Sequence, residues 1–353
     1  MLNYKTRVLN ELEFYFKSRS MKILLISVIL SMSLSFNFLN AQKRVFKEVS
    51  LDFDKKIKLS DFEIFRPNLL STNSSGDLVF FDYIRFQIVS YNSSDSGFKF
   101  IGEGKGRGPK EFNMIMDLKI DEKGIITLAD RDKNKIVRWN IEGRYIGEYK
   151  TNEKFIQPSR VAICGNSDSV YILSSQYSPN GIIHYLSLNN EFSTKSFLKI
   201  DSPDKRLPYY TDGELDCDED HNFYYANRYV NSIKKYDSNS NIIFDIPVYG
   251  FEKNEKIMEN KGRMFTPAEG VRRASGDIYK LENNLFVGFS DHKYSKLKLI
   301  DIYDPISGEY KFSIDVPFLF KEFAISDRNI FFINEESNGE IFLQIYNFDK
   351  KRL

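Results

Sequence analysis

The chain has 353 residues, of which 42% are hydrophobic and 15% aromatic, so it is long enough to bury a large core. Its 50 basic and 49 acidic residues balance, which excludes the basic excess that is typical of nucleic-acid-binding proteins. We therefore expect a globular protein that does not bind nucleic acid.

The first predicted element is a secretory signal peptide at residues 21–41. Lys22 precedes an uncharged apolar run, residues 23–38, and Ala41 supplies a small residue at a cleavage site before Gln42. The run is too short and too rich in serine for a comfortable membrane span, so we expect none after cleavage. Residues 1–20 are interpreted as a mis-assigned start; a long n-region or an uncleaved N-terminal anchor are the alternatives. The mature protein is expected to be extracytoplasmic, either periplasmic or secreted.

Six short apolar blocks recur through residues 42–353, and each is followed by a second strand-like run. They begin at Leu78, Ile125, Val170, Phe223, Leu285 and Ile330. The steps between these residues are 47, 45, 53, 62 and 45, and a period in this range made of strands and turns is typical of propeller blades. We therefore predict an all-β fold, a six-bladed β-propeller, as a single domain over residues 42–353.

The repeat around the second block shows the predicted blade most completely. Its strands are expected at Met116–Ile120, Ile125–Ala129, Lys135–Asn140 and Tyr145–Tyr149. The last repeat lacks residues for a fourth strand, whereas residues 46–53 alternate apolar and polar side chains without a blade of their own. Pairing this N-terminal strand into the last blade would close the ring and remove its exposed edges.

The longest connection between blades, residues 250–277, is rich in lysine and arginine. Loops of this length in compact domains are often functional. We expect a short helix over residues 252–260 within it.

Cys164 and Cys217 each lie six residues before the apolar block of their repeat, at equivalent positions of neighbouring blades. A disulfide needs Cα atoms about 4.4–6.8 Å apart, and we expect equivalent inner strands to be farther apart than this. Two buried free thiols are therefore predicted, with a bridge in an oxidising compartment as the alternative.

Residues 101–112 read Ile-Gly-Glu-Gly-Lys-Gly-Arg-Gly-Pro-Lys-Glu-Phe, and this segment resembles the extracytoplasmic six-bladed propellers of the NHL-like type. Those proteins often carry a Gly-rich segment that ends in Gly-Pro-x-Glu-Phe between their first two blades. The matching residues here are Gly108, Pro109, Glu111 and Phe112. The resemblance covers nearly all of residues 45–353, and it implies a fold and an extracytoplasmic setting more than a reaction.

The Gly-rich loop has two interpretations. It is a crossover between blades that needs positive φ values, with Phe112 in the core. Alternatively, its amides together with Lys105, Arg107 and Lys110 form an anion cradle. The loop lacks Walker spacing and precedes a strand rather than a helix, which favours the crossover.

The turns that follow the second strands and the connections between blades lie at one end of a propeller, which we call the top face. A rim of mixed charges and aromatic rings there suits a polar ligand or a peptide. The residues expected to bind a ligand or a protein partner are Arg107, Lys110, Arg131, Arg228, Tyr229, Asp291 and His292. The leading hypothesis is a non-catalytic propeller that binds on its top face.

The alternative hypothesis is a propeller enzyme, a lactonase-like hydrolase or a lyase, with a metal ion in the central channel. The inner strands offer Asp117, Glu214 and Asp216 for such a site, but Lys119 opposes a cation. No catalytic residue is predicted, because the chain has no Gly-x-Ser-x-Gly elbow and no histidine partner for either cysteine.

No cofactor is predicted, and calcium is the alternative. Residues 130–134 (Asp-x-Asp-x-Asn) and 216–220 (Asp-x-Asp-x-Asp) echo the start of a calcium loop. Neither segment has the glycine and the glutamate that complete an EF-hand, so both are interpreted as hairpin turns.

Overall fold

The computed structural model describes residues 44–47, 51–92, 97–150, 157–165, 169–174, 182–188, 194–197, 211–252, 254, 257–261, 264–268, 271–290 and 297–347. The chain divides into two compact units, residues 1–44 and 45–353, and every strand given below belongs to the second. The predicted signal peptide lies outside the described residues. Within the described ranges, no helix is long and apolar enough to cross a membrane.

The first half of the propeller follows the predicted repeat. A strand β1 (Asp52–Lys58) and a 3₁₀ helix (Leu59–Phe62) precede the blades. Blade one consists of β2 (Pro67–Thr72), β3 (Leu78–Asp82), β4 (Gln87–Asn92) and β5 (Gly97–Ile101). Blade two consists of β6 (Ile115–Ile120), β7 (Ile125–Asp130), β8 (Lys135–Asn140) and β9 (Tyr145–Lys150). Blade three consists of β10 (Pro158–Cys164), β11 (Ser169–Ser174), β12 (Ile183–Ser187) and β13 (Thr194–Phe197).

The second half contains the insertion. Blade four consists of β14 (Gly213–Cys217), β15 (Phe223–Asn227), β16 (Ile233–Tyr236) and β17 (Ile242–Ile246). A hairpin of β18 (Met258–Lys261) and β19 (Met264–Pro267) follows. Blade five consists of β20 (Ile278–Leu281), β21 (Asn284–Phe289), β22 (Leu297–Tyr303) and β23 (Tyr310–Phe320). Blade six consists of β24 (Glu322–Ile325), β25 (Asn329–Glu335) and β26 (Ile341–Asn347), with β1 as its outer strand.

The six-bladed all-β prediction is confirmed, and the blade-two strands agree with it to within one residue. The second strands are almost wholly buried because apolar clusters fill the space between neighbouring blades. One such contact joins Phe81 of blade one to Phe112 at the start of blade two, with ring centroids 5.5 Å apart. The inner strands β2, β6, β10, β14, β20 and β24 each contact the next around a closed ring. This ring surrounds a central channel.

Closure by the N-terminal strand is also confirmed, although its predicted boundary is wrong. β1 pairs antiparallel with β26, from Asp52 opposite Asn347 to Lys58 opposite Phe342. Phe46 instead forms a parallel bridge with Ser313 in β23 of blade five. The alternation of apolar and polar residues over 46–53 suggested a strand with one buried face. Phe46 and Phe53 are instead 56% and 57% exposed.

The prediction of two free thiols is wrong, because Cys164 and Cys217 form a disulfide. Their Cα atoms are 5.1 Å apart, within the range that a bridge requires. Both cysteines end inner strands, β10 and β14, and these strands converge at the channel axis, so equivalent positions lie much closer there than farther out in the blades.

The helix predicted over residues 252–260 is wrong where the structure describes it, since Met258–Lys261 is the first strand of the inserted hairpin. A hairpin supplies backbone partners from its own second strand, whereas a short isolated helix is marginal in water.

Candidate functional site

Five charged side chains face the channel near the top face. Four of them belong to inner strands, and the fifth belongs to the residue just before the inner strand β20. We call this set the upper layer: Asp117, Arg160, Glu214, Asp277 and Glu322. Because side chains alternate along a strand, residues two positions farther on face the same way. Three of these, Lys119, Asp216 and Tyr279, together with Ser71 form a lower layer that lines a cavity at the opposite end.

The centre of the upper layer is an ion-pair network of Arg160, Asp212, Glu214 and Arg228, which we call the channel network. Arg160 Nε donates to Glu214 Oε2 at 2.9 Å, and Arg228 Nη2 donates to the other oxygen of Glu214. Arg228 Nη1 also donates to Asp212 Oδ2 at 3.1 Å. Burial opposes ionisation of Glu214, but Arg160 and Arg228 outweigh it and lower its pKa to about 2.

The pKa values of two further carboxyl groups of the upper layer are shifted in the opposite direction, upward. Burial raises the pKa of Glu322 to about 8, and neighbouring Asp277 adds to the shift. Burial likewise raises the pKa of Asp277 to about 6. Their hydrogen bonds come from backbone donors, from Leu70 N to Glu322 at 2.8 Å and from Phe323 N to Asp277 at 3.0 Å. Arg273 lowers the pKa of both carboxyl groups, but burial outweighs it, so both pKa values lie above the usual range.

The inserted connection is fastened to the turn of blade four that carries Arg228 and Tyr229. Ala274 N donates to the Arg228 carbonyl at 2.6 Å, and Asn254 Nδ2 donates to the Tyr229 carbonyl at 2.9 Å. Ile257 is only 7% exposed and packs against Tyr229. The insertion thus fixes part of the top face.

The predicted top-face residues fall into different environments. Arg107 and Lys110 are exposed, and Lys110 forms a surface ion pair with Glu103 at 3.7 Å. Arg131 is half-buried, with Nη2 2.7 Å from Met114 Sδ. Arg228 and Tyr229 are neighbours, as described above. Asp291 and His292 lie outside the described residues. Among the described contacts, none joins Arg107, Lys110 or Arg131 to Arg228 or Tyr229.

The Gly-rich loop between the first two blades is held by its own glutamate. The Glu111 carboxylate accepts a hydrogen bond from Gly108 N at 2.6 Å, and a Cβ at Gly106 would lie 2.1 Å from that carboxylate. The Phe112 ring covers Gly102, whose φ is +99°, so that no side chain fits there. Glu111 therefore occupies the space an anion would need, which supports the crossover interpretation.

The two calcium-like segments serve as turns. Asp130 accepts backbone hydrogen bonds from Asn113 N and Met114 N, at 3.1 and 3.2 Å. Asp218 accepts from Asp220 N and Asn222 N, at 3.1 and 2.9 Å. In the described part of the chain, no group of three or more histidine, cysteine, aspartate or glutamate side chains is arranged to hold a metal ion.

The cavity at the opposite end of the channel, which we call the lower cavity, has a volume of about 700 Å³. Its walls include the turns between the inner and second strands, and Cys217 of the disulfide lines it. Among the described lining residues are eight carboxyl side chains and three lysines, so the cavity is strongly acidic. Four of the carboxylates are exposed, and we call them the acidic mouth: Glu122, Glu219, Asp220 and Glu282.

Sequence reasoning found Asp117, Lys119, Glu214 and Asp216 in the channel but missed Arg160, Asp212, Asp277 and Glu322. The missed residues lie at or just before the starts of inner strands, at or next to positions equivalent to Glu214. Comparing the six inner strands with one another at a period of two would have found most of them.

Three comparisons bear on identity. No curated protein matches the sequence. Virginiamycin B lyase from Staphylococcus aureus, crystallised with quinupristin, superimposes with a TM-score of 0.51 at 12% identity over 84% of this chain and 99% of that chain. A DUF4221-family protein from Bacteroides vulgatus gives a TM-score of 0.51 at 11% identity over 85% and 98% of the two chains. At such identities, these likenesses show the fold alone. The model of the six-bladed β-propeller family DUF5128 matches residues 61–301, and the chain belongs to that family.

Proposed function

We propose that this protein is an extracytoplasmic, non-catalytic propeller that binds a ligand or a protein partner on its top face. The observation that carries the proposal is the channel network. Arg160 and Arg228 hold both oxygens of Glu214 at the axis, where a propeller enzyme would need carboxylates open to a cation or a substrate. Two guanidinium groups at that place also repel a metal ion. The ion pairs at the channel centre thus support recognition of the partner by loops of the top face.

The extracytoplasmic setting is supported by two independent features. The sequence of residues 21–41 has the pattern of a signal peptide. The Cys164–Cys217 disulfide belongs to an oxidising compartment, since disulfides rarely persist in a reducing cytoplasm.

The top of blade one offers an exposed apolar and basic surface for a partner. Phe65 and Ile84 are 53% and 60% exposed, although both are large apolar residues. Arg66 N and Ile84 N donate to the same Asp82 oxygen, at 3.0 and 3.1 Å, so Phe65, Arg66 and Ile84 lie close together. Aromatic residues and arginine are enriched in protein interfaces. This surface and the exposed Arg107 fit a partner with acidic and apolar groups.

Site-specific photo-crosslinking in cells that produce the protein tests the proposal. A benzophenone amino acid at Ile84 or Arg107 is expected to give a defined cross-linked adduct. The matched control is the same amino acid at Lys123, an exposed turn residue of blade two at the opposite end. Adducts at Lys123 but none at Ile84 or Arg107 would contradict top-face binding. One tightly held metal ion per purified chain would contradict the non-catalytic assignment.

A second candidate function, a propeller hydrolase or lyase, is favoured by one observation. The pKa values of Asp277 and Glu322, about 6 and about 8, lie in the range that suits proton transfer near neutral pH. Metal analysis separates the two candidates. A stoichiometric ion that is lost from an Asp277→Asn, Glu322→Gln variant would support the enzyme.

A further inference from the structure

The lower cavity lies at the opposite end of the channel from the top face. Its volume of about 700 Å³ falls within the range of small-molecule sites. None of the five described residues of the predicted top-face set lines it. The proposed top-face site and the lower cavity therefore share none of these five residues.

The acidic mouth gives the cavity entrance a negative field. Glu219 and Asp220 are exposed, and their carboxylates form no ion pair within the described part of the chain. Among the described residues, Glu122 is contacted by Ser74 of blade one, which donates to it through its backbone N–H at 3.0 Å and through its hydroxyl group. Charges of one sign around a cleft concentrate ligands of the opposite sign. The entrance thus selects for a positively charged group.

The floor of the cavity carries one cation, Lys119, beside carboxyl groups of the inner strands. Lys119 projects from β6 into the lower layer, and its ammonium lies 4.9 Å from the centre of the Tyr279 ring. Asp117 and Asp216 keep it charged, because their attraction outweighs the effect of burial and raises the pKa of Lys119. The Lys119 ammonium donates no hydrogen bond to any described residue. The N–H donors of Lys119 are therefore without an acceptor among the described residues.

Asp121 is a second charged group of the cavity wall. The residue is 7% exposed, and its Oδ1 accepts hydrogen bonds from Lys123 N and Ile125 N, both at 2.8 Å. Its Oδ2 is buried without a hydrogen-bond partner among the described residues, and the nearest cation, Arg138 Nη2, is 4.0 Å away. Arg138 Nε is likewise buried without a hydrogen-bond partner among the described residues, so Asp121 and Arg138 compensate each other's charge.

We propose that the lower cavity binds a small zwitterion of the size of a short peptide, with its carboxylate on Lys119 and its ammonium at the acidic mouth. The carboxylate supplies the acceptor that Lys119 lacks among the described residues, and the ammonium supplies a counter-charge to Glu219 and Asp220. A ligand with only one of these charges satisfies only one end of the cavity.

Isothermal titration calorimetry with the tripeptide Lys-Ala-Ala tests the proposal, and its C-terminal amide serves as the matched ligand. The free acid is expected to bind and the amide to bind more weakly. Lys119→Met is expected to weaken the free acid by about tenfold to a hundredfold, the range for a hydrogen bond to a charged group, and to leave the amide unchanged. The control is Lys123→Met, an exposed turn residue outside the cavity, which should bind as the wild type does.

A variant of the acidic mouth tests the proposal even if the Lys119 variant does not fold. Glu219→Gln with Asp220→Asn changes two exposed side chains, so the fold should persist. It is expected to weaken both the free acid and the amide and to flatten the salt dependence of binding. The proposal is overturned if Lys-Ala-Ala does not bind the wild type, if acid and amide bind equally, or if Lys119→Met has no effect on the acid. Tight binding of spermidine that is insensitive to Lys119→Met would replace it with a site for cations alone.

Discussion

The two ends of the central channel are built by the same inner strands and yet use charge in opposite ways. At the upper layer, Arg160 and Arg228 both donate to Glu214, and with Asp212 they form a network of two cations and two carboxylates. At the lower end, the Lys119 ammonium and the acidic mouth line one cavity of about 700 Å³. A shift of two residues along a strand thus leads from paired charges of the fold to the Lys119 ammonium, which we propose binds a ligand.

The strongest test removes the paired charge of the upper layer. Glu214→Gln leaves two buried guanidinium groups with one fewer carboxylate, and breaking a buried ion pair costs about 3–5 kcal/mol. The free energy of unfolding, measured by chemical denaturation at pH 7, should fall by this amount. Asp315→Asn is the matched control, because Asp315 is 57% exposed and pairs with Lys298 at the surface. Equal losses in the two variants would contradict the comparison.

The pH dependence of that loss has a defined sign. The pKa of Glu214 is lowered from 4.5 to about 2 in the folded protein. The ionised group therefore contributes stability that is fully present above about pH 5 and is lost as pH falls toward 2. The difference between wild type and Glu214→Gln should narrow over this window.

The Cys164–Cys217 disulfide links two inner strands covalently at the lower end of the channel, where the upper end has ion pairs. Replacing Cys164 and Cys217 by serine should lower the free energy of unfolding by about 2–4 kcal/mol, the usual range for a native bridge. The same variant should weaken binding at the lower cavity, because Cys217 lines its wall. Alkylation of the denatured, non-reduced wild type should modify no thiol, and two modified cysteines would show that the bridge is absent.

A smaller effect separates the two kinds of carboxyl group within the upper layer. Burial raises the pKa of Glu322 from 4.5 to about 8, so the folded state binds the proton more tightly than the unfolded state. Stability from this group falls as pH rises from about 4.5 to 8. Glu322→Gln, which keeps an acceptor for Leu70 N, should therefore gain on the wild type by on the order of 1–3 kcal/mol between pH 5 and pH 8.5. Melting curves over this range check the prediction, and a constant difference between the two proteins would contradict it.

The smallest expected effect is at the acidic mouth. Glu219→Gln with Asp220→Asn should change the free energy of unfolding by less than about 0.5 kcal/mol, as is usual for exposed substitutions. A loss comparable to that of Glu214→Gln would mean that the mouth, too, is part of the structural network. Chemical denaturation of the two variants side by side gives the answer.

The repeat could be predicted from the sequence because each buried second strand leaves a local apolar block, such as residues 125–128. The channel network could not be predicted in the same way. Arg160 and Glu214 are 54 residues apart, and their contact depends on how two inner strands converge at the axis. The disulfide depends on the same convergence. The Gly-rich motif was located by sequence, but the role of Glu111 in filling its own loop needed the side-chain geometry.

The closing strand has a consequence for how the molecule folds. β1 pairs with β26, so residues near position 52 cannot form their strand contacts until residues near position 347 have been synthesised. Contacts between such distant segments are slow to form, and until they do, both strands present unpaired edges that invite association with other chains. A chain that emerges N-terminus first would carry this exposed edge throughout its synthesis. Because the ring closes late, the pairing of β26 with β1 affects the yield of folded protein as well as its stability.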